Sequence, residues 1–531
     1  MISNYHNYYT NPIQSSSYTS QSHNESPCTG VIRENDIPLK TQFITREGIY
    51  KSQNIVEYLK IATRLPMGAS PGQVANTPPI TPNVPVRVSM STESGMDSEH
   101  NRIAFNVGRE LFIYEFNEKE QSIDTTKPID KRVYKGTYPT SHAFNKFIDN
   151  ETTCTILIGF SAGQVQQIDP LDIQSSRLFN EDRLIDRTAV TCINWVPFEE
   201  NLFLVSHTSG CLYLYDTFYE CSLAAPVFQI IKSSTSYTVY GNKNKENRNP
   251  LFKWRIGKGS LHMFDFCKVK NKEDELLIST VSHDGFLRVF NYSSMELIVQ
   301  MKSYFGGLLC LDWSPDNKYI VTGGEDDMIT IFNVEEGRVV GRGQGHKSWI
   351  SQVKFDSYMT TTEDEAHKRR GSKFSRTSRI LSSYDEACYR IGSVGFDAEV
   401  ALWEITEDIL TTPFDPPSII KNRQSIYNIQ PPIINHDEDK IINNKKKHKK
   451  AWSFGVKSGK EQMNVIEEIV NDTGTSLFGT MVSPRMDQVP IIEPLISKKI
   501  SQDRLTSLLF RKYCMITACQ EGNIACWERP I

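Results

Sequence analysis

The stretch that decides the fold reads GEDDMITIF, from Gly324 to Phe332. Altered forms of it occur elsewhere as SHDGFLRVF (Ser282–Phe290) and VGFDAEVALW (Val394–Trp403). Each form places an aspartate six residues before an aromatic side chain, with an alternating apolar run between them. Such alternation is typical of a strand with one buried face. A β-rich unit that recurs roughly every 40 to 50 residues predicts a propeller.

Seven such units can be counted along the chain. They centre on Arg87–Phe116, Ala143–Asp169, Val190–Asp216, Ser260–Asn291, Gly307–Val334, Trp349–Ile405 and Arg504–Trp527. In the fifth, the apolar run CLDWSP is followed by a Pro-Asp-Asn turn and a second apolar run, KYIVTGG. This order of strands and turns is one blade of a WD40 propeller, so we expect an all-β, seven-bladed WD40 β-propeller. The alternative is a β-sandwich, but the fixed spacing from carboxylate to aromatic argues against it.

One repeat carries a fuller set of polar residues. His346 precedes the first strand of the sixth unit, and Ser393, Asp397 and Trp403 follow later. The set resembles the WD-repeat tetrad, a buried hydrogen-bonded chain in which every member needs a partner. His346 could instead be a catalytic base. Its place just before the first strand of a blade favours the structural interpretation.

The last unit ends with the chain, directly after its third strand, ACWERPI. A blade without an outer strand would expose an open sheet edge. Near the other end, LKTQFITREGIYK (Leu39–Lys51) reads as a strand and a turn. We therefore expect this segment to supply the outer strand of blade seven and to close the ring.

The pattern predicts one folded domain with several segments outside the repeat. We expect a disordered N-terminal tail at 1–36 and a propeller at 37–531. Within the propeller we expect a Pro-rich linker at 66–85 and two disordered insertions in the sixth blade, at 359–387 and 411–485. The insertions carry the basic clusters HKRRGSKFSRTSR and KKKHKK. These clusters are candidates for nuclear import, anionic-lipid contact or kinase recognition. The alternative is that each lies in a solvated loop that needs charge only to stay soluble.

Composition excludes several classes of protein. The 531 residues carry a formal net charge of -4, with no basic excess that would indicate nucleic-acid binding. The first residues lack the basic and apolar regions of a signal peptide, so we expect none, and no apolar run approaches the ~20 residues that cross a bilayer. The 11 cysteines contain no CxxC pair, which argues against a disulfide framework or a zinc site. We expect a protein of the cytoplasm, with the nucleus as a second location and no membrane contact.

No arrangement of residues indicates an enzyme. The chain has no GxSxG elbow, P-loop, HExxH or kinase signature. The acidic run Glu325-Asp326-Asp327 lies in a predicted blade turn, where carboxylates commonly accept hydrogen bonds. We therefore expect no catalytic residue, no cofactor and no metal.

Several longer runs carry a specific resemblance. They are FNVGRELFIY, KPIDKRVYKGTYPT, IGFSAGQVQQIDP, LFNEDRLID, MKSYFGGLLCLDWSPDNKYIVTGGEDD, GHKSWISQVKFD, EPLISKKISQDRLTSL and ITACQEGNIACWERP. Together they closely resemble the family of deubiquitinase-activating WD-repeat propellers that includes WD-repeat-containing protein twenty, the dystrophia-myotonica WD-repeat protein and fungal CreC. The resemblance runs from about Leu39 to Pro530, apart from the Pro-rich linker and the two insertions.

The resemblance implies a non-catalytic partner that binds and activates a ubiquitin-specific protease, a cysteine deubiquitinase, in some cases together with a second WD-repeat activator. The alternative is a generic WD-repeat adaptor. A cullin-ligase substrate receptor would carry a Trp-Asp-x-Arg motif, which this chain lacks. A phosphoinositide-binding propeller would carry Phe-Arg-Arg-Gly, and the nearest match, Lys368-Arg369-Arg370-Gly371, has no Phe.

The candidate partner-binding residues lie before the first strands of two consecutive blades. Phe305 and Trp349 are bulky aromatics with Gly or Ser neighbours, which is typical of interface anchors. Tyr304, Lys302 and Lys347 would form a polar rim around them. In the alternative, Phe305 and Trp349 fill the space between blades.

Overall fold

A computed structural model describes residues 39–56, 84–91, 101–148, 152–243, 248–269, 275–372, 386–414 and 477–530. The predicted tail, nearly all of the predicted linker and the cluster KKKHKK lie outside the described residues. Within these ranges the strands form seven sheets, which confirms the predicted seven-bladed propeller.

Each blade contains four antiparallel strands in the order a, b, c and d. The a strands are Val88–Met90, Pro139–Phe144, Val190–Trp195, Leu261–Lys268, Leu308–Trp313, Ile350–Phe355 and Leu505–Phe510. The b strands are Arg102–Val107, Ile156–Phe160, Leu202–His207, Leu276–Ser282, Tyr319–Gly324, Cys388–Gly395 and Cys514–Cys519. The c strands are Glu110–Asn117, Val165–Asp169, Cys211–Asp216, Phe286–Asn291, Met328–Asn333, Glu399–Thr406 and Ile524–Glu528. The d strands are Asp130–Val133, Asp172–Phe179, Phe252–Ile256, Glu296–Lys302, Arg338–Gln344, Ile496–Lys499 and Gly48–Val56.

Five further strands and three helical segments extend these blades. The strands are Gln42–Thr45, Ser122–Ile123, Phe228–Ser233, Tyr237–Asn242 and Ile491–Ile492. The helical segments are the α-helices Glu363–Ser372 and Glu407–Thr411 and the 3₁₀ turn Met486–Gln488. No described helix is long and apolar enough to cross a membrane, and no described cysteine forms a disulfide.

The blades close into a ring through their innermost strands. Every a strand contacts the a strand of the next blade, and that of blade seven contacts that of blade one. In blade five all residues of strands b and c are buried, because neighbouring blades cover both faces. A Cβ on Gly323 would lie 2.6 Å from Cγ2 of Ile350 in the next blade, so only glycine allows this close packing.

The predicted turn between strands a and b of blade five is present. Ser314 donates its hydroxyl to Asp316 at 2.6 Å, and the backbone N–H of Ser314 bonds to the carbonyl of Tyr319 at 2.9 Å. Asn317 has a φ of 66°, in the left-handed region that asparagine tolerates better than most residues. The side chains of this turn therefore fix its shape.

Blade seven takes its outer strand from the N-terminal segment, as expected, but the predicted bounds were wrong. The segment is a hairpin whose second strand, Gly48–Val56, pairs antiparallel with Ile524–Glu528. The first strand, Gln42–Thr45, adds a fifth strand to the sheet. The sequence-based prediction stopped at Lys51, because the three polar residues Ser52, Gln53 and Asn54 interrupt the alternation of polar and apolar residues that indicates a strand.

The first insertion of blade six is not a structureless loop, contrary to the expectation for 359–387. Helix Glu363–Ser372 begins there, and Ala366 on it is buried. Glu363 accepts hydrogen bonds from Nζ of Lys318 at 2.7 Å and from the hydroxyl of Tyr319 at 2.6 Å. These contacts hold the helix start against blade five, and a segment so charged gives little apolar pattern to predict it.

The second insertion is structured at its C-terminal end, contrary to the expectation for 411–485. Helix Glu407–Thr411 precedes it, and its end lies along blades four and five as a returning segment, Leu477–Ile492. The backbone N–H groups of Lys302 and Val339 bond to carbonyls of this segment at 2.9 and 3.0 Å. Its last residues pair in parallel with strand d of blade five.

Candidate partner-binding face

The repeated phrase contributes one aspartate to each turn between strands b and c. Asp284 accepts the backbone N–H of Phe286 at 3.2 Å. Asp326 and Asp397 likewise accept the amide two residues further on, at 3.4 and 3.1 Å. A side-chain acceptor of this kind stabilises a tight turn. In a propeller these turns lie on the same face as the loops that join strand d to the next strand a.

The four predicted tetrad residues form one hydrogen-bonded chain inside blade six. Nε1–H of Trp403 donates to Oγ of Ser393 at 2.8 Å. The hydroxyl of Ser393 donates to Nε2 of His346 at 2.7 Å, and Nδ1–H of His346 donates to Oδ2 of Asp397 at 2.8 Å. These directions follow because an indole can only donate and a carboxylate can only accept.

The geometry of this chain favours a structural role over catalysis. His346 is buried, and both of its ring nitrogens are engaged within the blade. Burial opposes the charge on Asp397, but the bonds from His346 and from the backbone of Lys347 and Glu399 hold the pKa of Asp397 below its ordinary value. No imidazole nitrogen is left to take a proton from a substrate.

Two other blades contain related, shorter networks. In blade four, Nη2 of Arg288 lies 2.8 Å from Oδ2 of Asp284, and Ser282 donates to the same carboxylate at 2.6 Å. In blade seven, Nε1–H of Trp527 donates to the hydroxyl of Thr517 at 2.9 Å. A hydroxyl on strand b and a tryptophan on strand c therefore link the two strands in blades six and seven, whereas in blade four Arg288 on strand c bonds to Ser282 and Asp284.

Phe305 lies on a tightly held loop between blades four and five. Ser303 donates its hydroxyl to the carbonyl of Gly306 at 2.7 Å, and Gly306 has a φ of 62°. Glu325 accepts the backbone N–H of Gly307 at 2.8 Å, and Asp326 accepts that of Tyr304 at 3.3 Å. The loop turns Phe305 outward, so that 71% of it is exposed.

Tyr304 lies between the Phe305 loop and the returning segment. The guanidinium of Arg342 is 5.1 Å from the centre of its ring, and the ring of Phe478 is 5.6 Å away. Arg342 is fully buried and donates to the carbonyl of Pro484 at 2.9 Å. This arrangement fixes the base of the loop while leaving part of the tyrosine exposed.

Trp349 lies on the next loop, between blades five and six. It is 39% exposed, and its ring centre is 5.7 Å from that of Phe396. The backbone N–H of Phe396 bonds to the carbonyl of Trp349 at 2.8 Å, and Ile350 beyond it is buried. Neither Phe305 nor Trp349 is buried between blades, so the alternative that they fill that space is wrong.

The two predicted rim lysines already have intramolecular partners. Nζ of Lys302 lies 5.2 Å from the ring centre of Phe286. Nζ of Lys347 lies 2.8 Å from Oε1 of Glu399, and this hydrogen bond raises the pKa of Lys347. The side chain of Lys347 is nevertheless 75% exposed, so it can still meet a partner.

Residues from distant parts of the chain extend this face. Phe478 on the returning segment is exposed beside Tyr304, and Met481 on the same segment is also exposed. Phe396, which contacts Trp349, is in turn covered by the guanidinium of Arg504 at 4.7 Å. Sequence reasoning missed Phe478 and Met481, because nothing in the pattern indicates where the end of a long insertion returns.

The acidic run Glu325-Asp326-Asp327 serves the backbone of this face. Its first two carboxylates accept the loop amides described above, and burial raises the pKa of Asp326 to about 6. Among the described residues, no group of His, Cys, Asp and Glu side chains is placed to hold a metal ion. The run therefore explains the shape of the loop.

Comparison with known proteins extends these observations. A family model described as "WD domain, G-beta repeat" matches residues 296–333, which cover strand d of blade four and strands a to c of blade five. Among solved structures, one titled "Crystal Structure of Mitotic Checkpoint Complex" has a TM-score of 0.43 at 11% identity, covering 89% of this chain and 99% of that one. The structural likeness is too low to support an inference.

Two curated relatives match most of the chain. A Caenorhabditis elegans protein named "WD repeat-containing protein 20 homolog" is 38% identical, and the match covers 84% of this chain and 72% of that protein. A Mus musculus protein named "WD repeat-containing protein 20" is 39% identical, with 93% and 96% covered.

Proposed function

The chain belongs to the WD repeat-containing protein 20 family, and from that premise we propose that it is a non-catalytic scaffold that binds and activates a ubiquitin-specific protease. All catalytic residues of the reaction then belong to the protease. The chain would act in the cytoplasm and the nucleus, in some complexes beside a second WD-repeat activator.

The observation that carries the proposal is the exposure of two large aromatics on consecutive loops of one face. Phe305 and Trp349 are separated along the ring by a single blade. Several hydrogen bonds hold the Phe305 loop, and bonds to Asp397 and Phe396 hold the Trp349 loop. Aromatic side chains on a pre-organised surface bind at a low entropic cost, because little freedom is lost on association. Isolated exposed aromatics without such support would be a weaker indication.

Activation from a distance requires only that the scaffold prefers one state of the protease. If the competent conformation of the protease fits this face better than the resting one, binding shifts the population toward the competent conformation. A propeller suits this task because its ring is closed and its loops are braced, so that it resists deformation by the partner. The scaffold need not contact the catalytic cysteine.

The test is a titration of a purified ubiquitin-specific protease with the purified chain, followed by hydrolysis of a fluorogenic ubiquitin substrate. Phe305→Ala and Trp349→Ala should each weaken binding by about thirtyfold or more, since truncating a central aromatic anchor typically costs 2 kcal/mol or more. Lys347→Ala should have a much smaller effect and mainly change the salt dependence.

A matched control is available in Phe218. It is 72% exposed, close to the value for Phe305, but it lies on a turn between strands c and d at the opposite face. Phe218→Ala should leave binding and activation unchanged. The proposal fails if both loop variants keep their melting temperatures and still activate the protease at wild-type concentrations.

A further inference from the structure

A basic pocket opens on blade three, on the same face of the ring as the Phe305 loop. It encloses about 400 Å³ and lies between the loop that joins blades two and three, the b–c turn at Ser209 and the end of strand d. A volume of this size falls within the range of small-molecule sites. Its lining is mostly polar, so it suits a hydrophilic ligand.

Four cationic side chains surround the pocket. Arg183 and Arg187 come from the loop, and Lys253 and Arg255 come from strand d. The last two are separated by one residue, so their side chains lie on one face of the strand. None of the four forms an ion pair with a carboxylate in the part of the chain that the structure describes. With Asp186, which also lines the pocket, four positive charges face one negative charge, an excess that is unexpected in a chain whose net charge is -4.

The one acidic side chain in the pocket is already engaged. Oδ1 of Asp186 accepts the backbone N–H and the hydroxyl of Thr188 at 2.9 and 2.7 Å. Oδ2 accepts the hydroxyls of Ser209 at 2.5 Å and of Tyr213 at 3.2 Å. Asp186 therefore ties the loop to the b–c turn and does not neutralise the arginines by direct contact.

The loop that carries the arginines is shaped before any ligand arrives. Nδ2 of Asn180 donates to the carbonyls of Gly163 and Asp186 at 2.8 and 2.6 Å, and Oδ1 of Asn180 accepts the backbone N–H of Ile185 at 2.9 Å. Nε of Arg187 donates to the carbonyl of Arg183 at 3.3 Å. Because the backbone is fixed, a ligand would have to order only side chains.

We propose that this pocket binds a compact, soluble polyphosphate. Arginine recognises phosphate through paired N–H groups, and a concave site lined by one sign of charge concentrates the opposite sign. Four cations around one carboxylate match a ligand with several phosphate groups better than a single inorganic phosphate. The proposal concerns blade three and is independent of the proposed protease.

Calorimetric titration of the full chain with inositol hexakisphosphate tests the proposal. Arg183→Glu combined with Arg187→Glu should lower the affinity at least tenfold, because two charges in the pocket are reversed. The control is Lys119→Glu combined with Lys135→Glu, which makes the same charge change at exposed positions of blade one. The control should stay within about twofold of the wild type. All four positions are exposed, so melting temperatures should not move.

Four results would overturn the proposal. The first is the absence of saturable binding by the wild type, and the second is an equal loss of affinity in the control, which would indicate long-range charge alone. The third is equal affinity for a polyglutamate peptide, which would indicate a site for acidic segments. Retention of the chain on vesicles of phosphatidylcholine with phosphatidylinositol bisphosphate tests whether the ligand is a lipid headgroup and not a soluble polyphosphate. Retention on them that inositol hexakisphosphate does not displace would also contradict a soluble ligand.

Discussion

At the scale of single residues, the chain of hydrogen bonds in blade six is the most constrained feature. Asp397 accepts from the imidazole of His346 and from the backbone of Lys347 and Glu399, and all of these donors lie close to or within the blade. A buried donor without an acceptor is expensive, whereas the net gain from a satisfied one is modest. Removal of the Asp397 carboxylate should therefore lower the free energy of unfolding by more than the number of lost hydrogen bonds suggests.

We expect Asp397→Ala to lower the free energy of unfolding by roughly 1–3 kcal/mol, the usual penalty for stranding buried donors. Urea denaturation of the purified chain measures this, with Asp182→Ala as the control at an exposed aspartate. Partner activation should fall only as far as the folded fraction does. Unchanged stability together with lost activation would contradict the structural role.

The sequence alone predicted the members of this chain, because the spacing from Asp397 to Trp403 repeats elsewhere and the set with His346 and Ser393 resembles the WD-repeat tetrad. It also placed Phe305 and Trp349 on loops. It could not predict their exposure, which depends on the backbone bonds of Glu325 and Asp326 to the loop. Nor could it predict the pocket of Arg183 and Arg255, whose charges come together only when strand and loop are folded.

At the scale of elements, closure of blade seven depends on the N-terminal hairpin. Tyr50 is fully buried, and its ring stacks on Phe43 at 4.7 Å, while Phe43 is 5.3 Å from Trp527. Nη2 of the buried Arg390 lies 2.5 Å from Oε1 of Glu47 on the hairpin turn. The hairpin thus supplies core packing and a charge partner as well as edge hydrogen bonds.

Deletion of residues 1–38 should leave the free energy of unfolding unchanged, because the described sheet begins after them. Deletion of residues 1–57 should lower it by several kcal/mol, since an edge strand, two buried aromatics and one of the two carboxylate partners of Arg390 are removed together. Thermal and urea unfolding of the two truncations give the comparison. Equal stabilities would contradict the role of the hairpin in closure.

The elements that the sequence did not predict were missed for one physical reason. Helix Glu363–Ser372 buries little apolar surface, and the returning segment Leu477–Ile492 is held through backbone bonds and a few apolar contacts with blade five. The extra hairpin of blade three, Phe228–Ser233 and Tyr237–Asn242, interrupts the repeat between strands c and d. Each depends on contacts with a blade that is already formed, so local pattern carries little information about it.

At the scale of the whole molecule, the ring separates stability from recognition. The buried b and c strands and the closed circle of a strands provide the stability, and the loops on one face are free to carry recognition residues. The two sites proposed on that face differ in chemistry: an aromatic one between blades four and six, and a basic one on blade three. One rigid scaffold could therefore engage a protein and a small anion together.

Comparative affinity purification shows whether the face that carries Phe305 and Trp349 binds a ubiquitin-specific protease. The tagged wild-type chain and the double variant Phe305→Ala, Trp349→Ala are expressed at equal levels, and their partners are quantified by mass spectrometry. We predict that a ubiquitin-specific protease is recovered with the wild type and is lost from the double variant. Recovery of the same protease in equal amounts with both, or its absence from the wild type, would contradict the account.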